Sequence, residues 1–223
     1  MKSYFFIIRF PEGGFFVTYL VSPSNHWLGY HMVEHLLELG FEVHGQENEL
    51  DSDELTLFFG RNSSYAPFNP EKKYKTAYIF GDYSDGLTAN SIHTYVLSKN
   101  SSKNLGKRHT CIHVPILFGE WMQMDKDGMY WNNSYVRFDS ILFQNESIYI
   151  KDFIGELVDW NSKGIASRED LYVRSFRSEE NSKLKLENSI YLRDNVPIEE
   201  KLKKVLQHYQ ENMIQYDNLY DNL

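Results

Sequence analysis

His31-Met32-Val33-Glu34-His35 places two imidazoles four residues apart with a carboxylate between them. On a helix the histidines would share a face and could hold zinc, with Glu34 as base. The sequence supplies no third ligand, so the motif reads as the polar side of a helix, and no metal is expected. His109, Cys111 and His113 alternate. On a strand they share one face, where packing and hydrogen bonding account for them without a metal. Nothing marks Cys111 as an activated nucleophile. Tyr95-Val96-Leu97-Ser98-Lys99 sets a phenol and an ammonium four apart. On a helix they would face the same way, and the ammonium would favour the phenolate, an acid–base group. With 16 tyrosines in the chain this spacing also arises by chance. Trp121 and Trp131 could line a sugar pocket, but core or interface packing is the expected role.

The elements that must position these groups follow from periodicity. Tyr4 to Phe10 is a short β-like run, and Pro11-Glu12-Gly13-Gly14 is a turn signal. Phe15 to Val21 is apolar without alternation, as in a strand of a parallel sheet buried on both faces. Leu28, Met32, Leu36, Leu37 and Leu39 then fall at helical spacing, with His31, Glu34, His35 and Glu38 on the other side. Gly40 is a stop signal, and Phe41 to Gly45 is again strand-like. Residues 15–45 thus read as a βαβ unit. Leu55 to Phe59 is a third apolar run, Arg61 to Lys75 is loop-like, and Thr76 to Phe80 is a fourth strand. A helix is predicted over 88–105 and an interrupted strand over Thr110 to Phe118, with Pro115 inside. Ser140 to Ile150 reads as one or two strands, and Asp152 to Trp160 as a helix. Residues 161–190 are polar and weakly patterned. Ile198 to Met213 is a convincing helix, with Leu202, Val205, Leu206 and Tyr209 on one side. The tail from Tyr216 to Leu223 repeats a four-residue unit and is expected to fray.

The chain has 223 residues, 42% of them hydrophobic and 24% charged. That suits one domain, or one domain and a small lobe, and argues against disorder. The net charge of -8 disfavours nucleic acid, whose readers carry a basic face, and an anionic membrane surface. A single cysteine excludes an intrachain disulfide and a cysteine-rich zinc site. No transmembrane run or signal peptide is legible, so the expected location is cytoplasmic. The Asn62-Ser63-Ser64 and Asn145-Glu146-Ser147 triplets therefore read as ordinary surface sequence.

Leu20-Val21-Ser22-Pro23-Ser24-Asn25-His26-Trp27-Leu28-Gly29-Tyr30-His31 resembles the first strand and phosphate loop of the extended short-chain dehydrogenase/reductases, the NAD-dependent epimerase/dehydratase family. Val33 to Val43 is similar to that family's first helix and second strand. His113-Val114-Pro115-Ile116-Leu117-Phe118-Gly119-Glu120 looks like the strand leading into the substrate lobe. Ser147 to Phe153 looks like a later strand-to-helix junction, and Pro197 to Gln210 like the C-terminal helix. The likeness spans residues 15–213 and rests on the order of these pieces. It implies an α/β, Rossmann-like, doubly wound and mostly parallel sheet, shortened, with a small C-terminal α+β lobe. The expected organisation is an N-terminal β extension (1–14), a Rossmann-like core (15–120), a mixed core and substrate-type lobe with the C-terminal helix (121–215), and the tail (216–223).

The resemblance also implies NAD or NADP, held by Trp27, Leu28 and Gly29 at the helix N-terminus and by Glu47 on the adenosine ribose. It implies Tyr95, Lys99 and Ser84 as catalytic groups, with His113 where the family has an arginine, and a nucleotide sugar as the ligand. A homodimer or another protein partner is a further implication. The loop departs from the pattern. Such loops use glycines for the turn, for close approach of the pyrophosphate and for helix packing, and the phosphate rests on free amides at the helix start. Pro23 and His26 stand at the first two glycine positions and only Gly29 remains. Proline has no N–H, and a histidine side chain takes room a phosphate needs. The expectation is a degenerate, catalytically impaired binding or interaction module. The alternative is an active nucleotide-sugar epimerase or reductase using Tyr95 and Lys99.

Overall fold

The apolar run near the start becomes β1 (Thr18–Ser22), buried along its whole length. The change of period after it becomes α1 (Trp27–Glu38), and the chain returns as β2 (Glu42–Gly45). Gly40, at φ +80°, makes the turn between them in a conformation that carries no cost for glycine. In this computed structural model, residues 17–81, 90–97, 109–162, 170–179 and 188–220 are described. The proposed N-terminal β extension, Ser84 and Lys99 lie outside them.

The further elements are α2 (Thr56–Phe59), β3 (Tyr65–Pro67), β4 (Tyr74–Phe80), β5 (Ser91–Leu97), β6 (His109–His113), β7 (Leu117–Phe118), β8 (Gly128–Trp131), β9 (Ser134–Arg137), α3 (Ile141–Glu146), β10 (Ile148–Tyr149), α4 (Ile150–Ser162), β11 (Asp170–Ser175), α5 (Phe176–Glu179), β12 (Ser189–Leu192), α6 (Ile198–Glu211) and α7 (Met213–Tyr220). Eight strands form one sheet in the order β12-β11-β6-β5-β4-β1-β2-β3. Every neighbouring pair in it is parallel. The order reverses between β1 and β4, so the crevice beyond their carboxyl ends is the natural ligand position of such a sheet. β7 pairs with β10, and β8 with β9 in a hairpin. Asn132 and Asn133 turn that hairpin, both at positive φ, as a two-residue turn of the primed kind requires.

One face of the sheet carries Tyr19, Val21, Tyr78, Phe80, Tyr95, Leu97 and Ile112 into the main core, together with Met32 and Leu36 of α1 and Phe153 and Leu157 of α4. Helices α1 and α4 pack against each other over it. On the other face Leu20, Tyr74 and Ala77 form a small cluster closed by Phe68. Phe68 belongs to the link 68–73 that joins β3 to β4 without a helix. The links 81–90 and 98–108, between β4 and β5 and between β5 and β6, are also shorter than the dozen or so residues usual for a parallel crossover. The shortening expected from the sequence therefore falls on the crossovers, while the sheet keeps its strands.

Several elements differ from their sequence reading. Ser91–Leu97 is a strand, not part of a helix; its Ile, Thr, Tyr and Val suit a pleated surface. Leu55–Phe59 is helical, begun by a single turn that Ser52 caps. A strand, β3, lies inside the expected loop 61–75. Ile141–Glu146 is a helix, with Ser140 accepting from the Phe143 amide at 3.2 Å. His31 is 2% exposed rather than on a solvent face, because the Glu120 segment covers that side of α1. Residues 216–220 of the tail belong to α7, with Tyr216 and Leu219 buried.

Candidate functional site

The turn from β1 into α1 sits at the sheet's switch point. The Ser22–Pro23 peptide is cis. Ser24 donates its amide to the Gln46 carbonyl at 2.7 Å, and Gln46 donates its own to Val21 at 3.0 Å. The Ser24 hydroxyl lies 3.2 Å from the Tyr65 hydroxyl. Asn25 is buried and holds the segment that follows β2: its Nδ2 donates to the carbonyls of Asn48 (2.9 Å) and Asp51 (3.2 Å), and its Oδ1 accepts from the Asn48 amide at 2.8 Å. Glu47 is exposed just beyond Gln46.

His26 caps α1. Its Nδ1 accepts from the Leu28 amide at 3.3 Å, so an amide normally open at a helix start has an internal partner. Burial pushes this imidazole below its ordinary pKa, against the opposing pull of Asp51. The cap requires a neutral ring, since an imidazolium has no acceptor. Trp27 and Leu28 are buried. Gly29 has no room for a side chain: an added Cβ would meet the Pro23 carbonyl oxygen at 1.8 Å.

Tyr95 lies on β5 at 1% exposure. Its ring stacks on Tyr78 at 5.5 Å, and Tyr78 stacks on Tyr19 at 6.2 Å. Its hydroxyl is buried without a hydrogen-bond partner among the described residues, and burial pushes the phenol's pKa up. Tyr95 stands on a strand and not on the expected helix, and Lys99 lies outside the described residues.

A second polar cluster joins α1 to α4. His31 Nε2 lies 2.9 Å from the Glu120 carbonyl, and Tyr149 donates to both Glu120 carboxylate oxygens at 2.8 and 3.0 Å. Tyr30 donates to Glu34 at 3.1 Å, and Lys151 stands 3.5 Å from the same carboxylate. His31, 3.7 Å away, holds the Glu34 carboxyl down at about 2, and Lys151 adds to this. The imidazole of the supposed zinc motif is therefore engaged with a backbone carbonyl. Beside this cluster, Trp121 adopts φ +64°. The Tyr216 hydroxyl accepts from its amide at 2.7 Å, and the Tyr220 hydroxyl donates to its carbonyl. That clamp holds Tyr216 and Tyr220 of α7 against Trp121. The sequence reading passed over Asn25, Tyr65 and Glu120. Asn25 was legible as an Asn in the turn that follows the first strand; the other two are joined to their partners only by the fold.

No protein-family model matches the sequence, and no curated protein sequence matches it. Solved structures do match. The yeast methylglyoxal/isovaleraldehyde reductase Gre2, determined with NADPH, aligns with TM-score 0.50 at 12% identity over 91% of this chain and 100% of its own. Gre2 from Candida albicans aligns with TM-score 0.49 at 9% identity, over 90% and 99% of the two chains. A UDP-N-acetylglucosamine 4-epimerase from Bacillus cereus aligns with TM-score 0.44 at 8% identity, over 87% and 99%. The likeness to the yeast reductase, together with the parallel eight-stranded sheet and its switch point, gives the chain a Rossmann-like α/β fold similar to that of Gre2.

Proposed function

We propose that this chain is a catalytically silent relative of that fold, a module that acts by binding rather than by turnover. The observation that carries the reading is the His26 cap on the Leu28 amide. A dinucleotide's pyrophosphate needs such amides free. Here one is held by His26, another is absent at Pro23, and the Ser24 amide is engaged by Gln46. The residues present do not fit NAD or NADP in the usual pose. The buried, stacked Tyr95 supports the same reading, since an acid–base phenol must reach substrate.

A protein is the partner class best supported. Leu57 and Phe58 on α2 are 72% and 58% exposed, beside a groove of about 240 Å³ lined by Tyr30, Glu34, Leu37 and Phe59. Thermal unfolding with NAD, NADP and UDP-, GDP- and dTDP-sugars tests the reading. A ligand at about 100 times its Kd would raise the midpoint by roughly 5–10 °C. No shift is expected with any of them. A clear shift with a dinucleotide overturns the proposal and restores the reductase or epimerase reading. A shift with sugar nucleotides alone replaces the protein partner with a nucleotide sugar.

A further inference from the structure

Cys111, His113 and Asp170 meet at the join between β6 and β11. In the parallel register Cys111 lies opposite Asp170, and His113 opposite Tyr172. Residues two apart on a strand point to the same face, so the thiol and the imidazole project together and the carboxylate comes in from the neighbouring strand. One ligand atom from each lies within 4.8 Å of the other two. His113 Nε2 already stands 3.0 Å from Asp170 Oδ1. The Tyr172 ring stacks on the imidazole at 4.4 Å and 13°, which fixes its plane.

We propose that these three residues form a metal site for a borderline divalent cation of the zinc type. Thiolate, imidazole and carboxylate are the donors such an ion takes, at about 2.0–2.3 Å in a tetrahedral arrangement. Ligands at those distances stand about 3.3–3.8 Å apart, so the widest separation closes by about 1–1.5 Å at most while the His113–Asp170 pair opens slightly. The charges also balance: a dication with one thiolate, one carboxylate and a neutral imidazole is net neutral, which suits a half-buried place. Cys111 is buried, His113 half-buried, and the Asp170 side chain 42% exposed. The fourth coordination position therefore faces the solvent side, open to water or to a partner's ligand. On binding, the thiol and any protonated ligand release their protons to solvent. A nucleophilic Cys–His–Asp reading is disfavoured because the neighbouring strand amides serve the sheet ladder and cannot form an oxyanion hole. The ion would tie the core strand β6 to β11.

Cobalt(II) titration of the full chain is the test. Binding is expected to produce a thiolate-to-cobalt charge-transfer band in the near ultraviolet and the intense visible bands of tetrahedral cobalt, both displaced by zinc. Zinc should also slow alkylation of the single cysteine. Cys111→Ser should abolish the charge-transfer band. His113→Ala and Asp170→Asn, which leave the thiol in place, should each weaken binding by about tenfold or more, equivalent to about 1.4 kcal/mol. Far-ultraviolet circular dichroism confirms that each variant is folded. Absence of the cobalt bands in excess metal, a charge-transfer band surviving in folded Cys111→Ser, or unchanged affinity in both other variants overturns the proposal.

Discussion

The Pro23 carbonyl oxygen occupies the space beside Gly29 so closely that a β-carbon there would stand 1.8 Å from it. The obstacle is backbone, and α1 cannot shift without disturbing its packing on the sheet. Gly29→Ala is therefore expected to destabilise the fold by about 3 kcal/mol, at the upper end for overpacking, despite alanine's better helix propensity. Equilibrium unfolding in urea measures this. Unchanged or increased stability would show that the loop gives way freely.

The His26 cap leads to a graded expectation. His26→Ala removes the acceptor for the Leu28 amide and should cost about 1 kcal/mol. His26→Asn restores a short side-chain acceptor and should recover most of it. Equal losses for both would mean that the imidazole acts by packing rather than as a cap.

Tyr95 separates a structural role from a catalytic one. Its hydroxyl makes no hydrogen bond among the described residues, so Tyr95→Phe should change stability by less than about 0.5 kcal/mol or raise it, because a buried unsatisfied polar group is a cost. Tyr95→Ala should cost about 3–5 kcal/mol through loss of the stacked ring. A phenylalanine variant as damaging as the alanine one would reveal a polar partner for the hydroxyl.

Lys201 on α6 is 5% exposed and pairs with Asp152 on α4 and with Asp194. Lys201→Ala leaves Asp152 without its cation, while Asp194 keeps Arg177, and should cost about 3 kcal/mol. Asp152→Asn together with Lys201→Met removes opposite charges in concert and should cost less than the alanine change alone. Chemical denaturation of the three proteins decides this.

The pH dependence has a definite sign. Burial pushes the imidazoles of His26, His35, His44, His93 and His208 below their ordinary value. Between those lowered values and about 6.5 the unfolded chain binds more protons than the folded one, so stability falls as pH drops below about 6.5. Glu34, held down at about 2, extends the loss as pH falls through the ordinary carboxylate range. The unfolding midpoint should therefore decline steadily from pH 7 to pH 4, and His26→Asn should flatten the upper part of that decline. A midpoint that rises on acidification to pH 5 would contradict this.

How much of this was legible depended on where each element's stabilising partners lie. In β1–α1–β2 the buried run, the helical spacing of Leu28, Met32 and Leu36, and Gly40 all act within neighbouring turns, so pattern and propensity agree. The same holds for α4 and α6, whose apolar stripes are periodic. Ser91–Leu97 was misread because its partners are Tyr78 and Thr110, distant in sequence, and a ladder to two neighbours outweighs a loose helical spacing. Residues 216–220 were misread for the same reason: Tyr216 and Tyr220 are one helical turn apart, but the Trp121 backbone that engages both lies about a hundred residues away.

The sequence by itself determined the βαβ opening and the α/β class. These are properties of local spacing and of residue type. Only the tertiary structure decided that His26 would turn its ring onto the Leu28 amide, that Tyr95 would be stacked inside the core, and that Asp170 would arrive beside Cys111 and His113. Each is a meeting of side chains from segments that the chain brings together only when β1, β4, β6 and β11 take their places in one sheet.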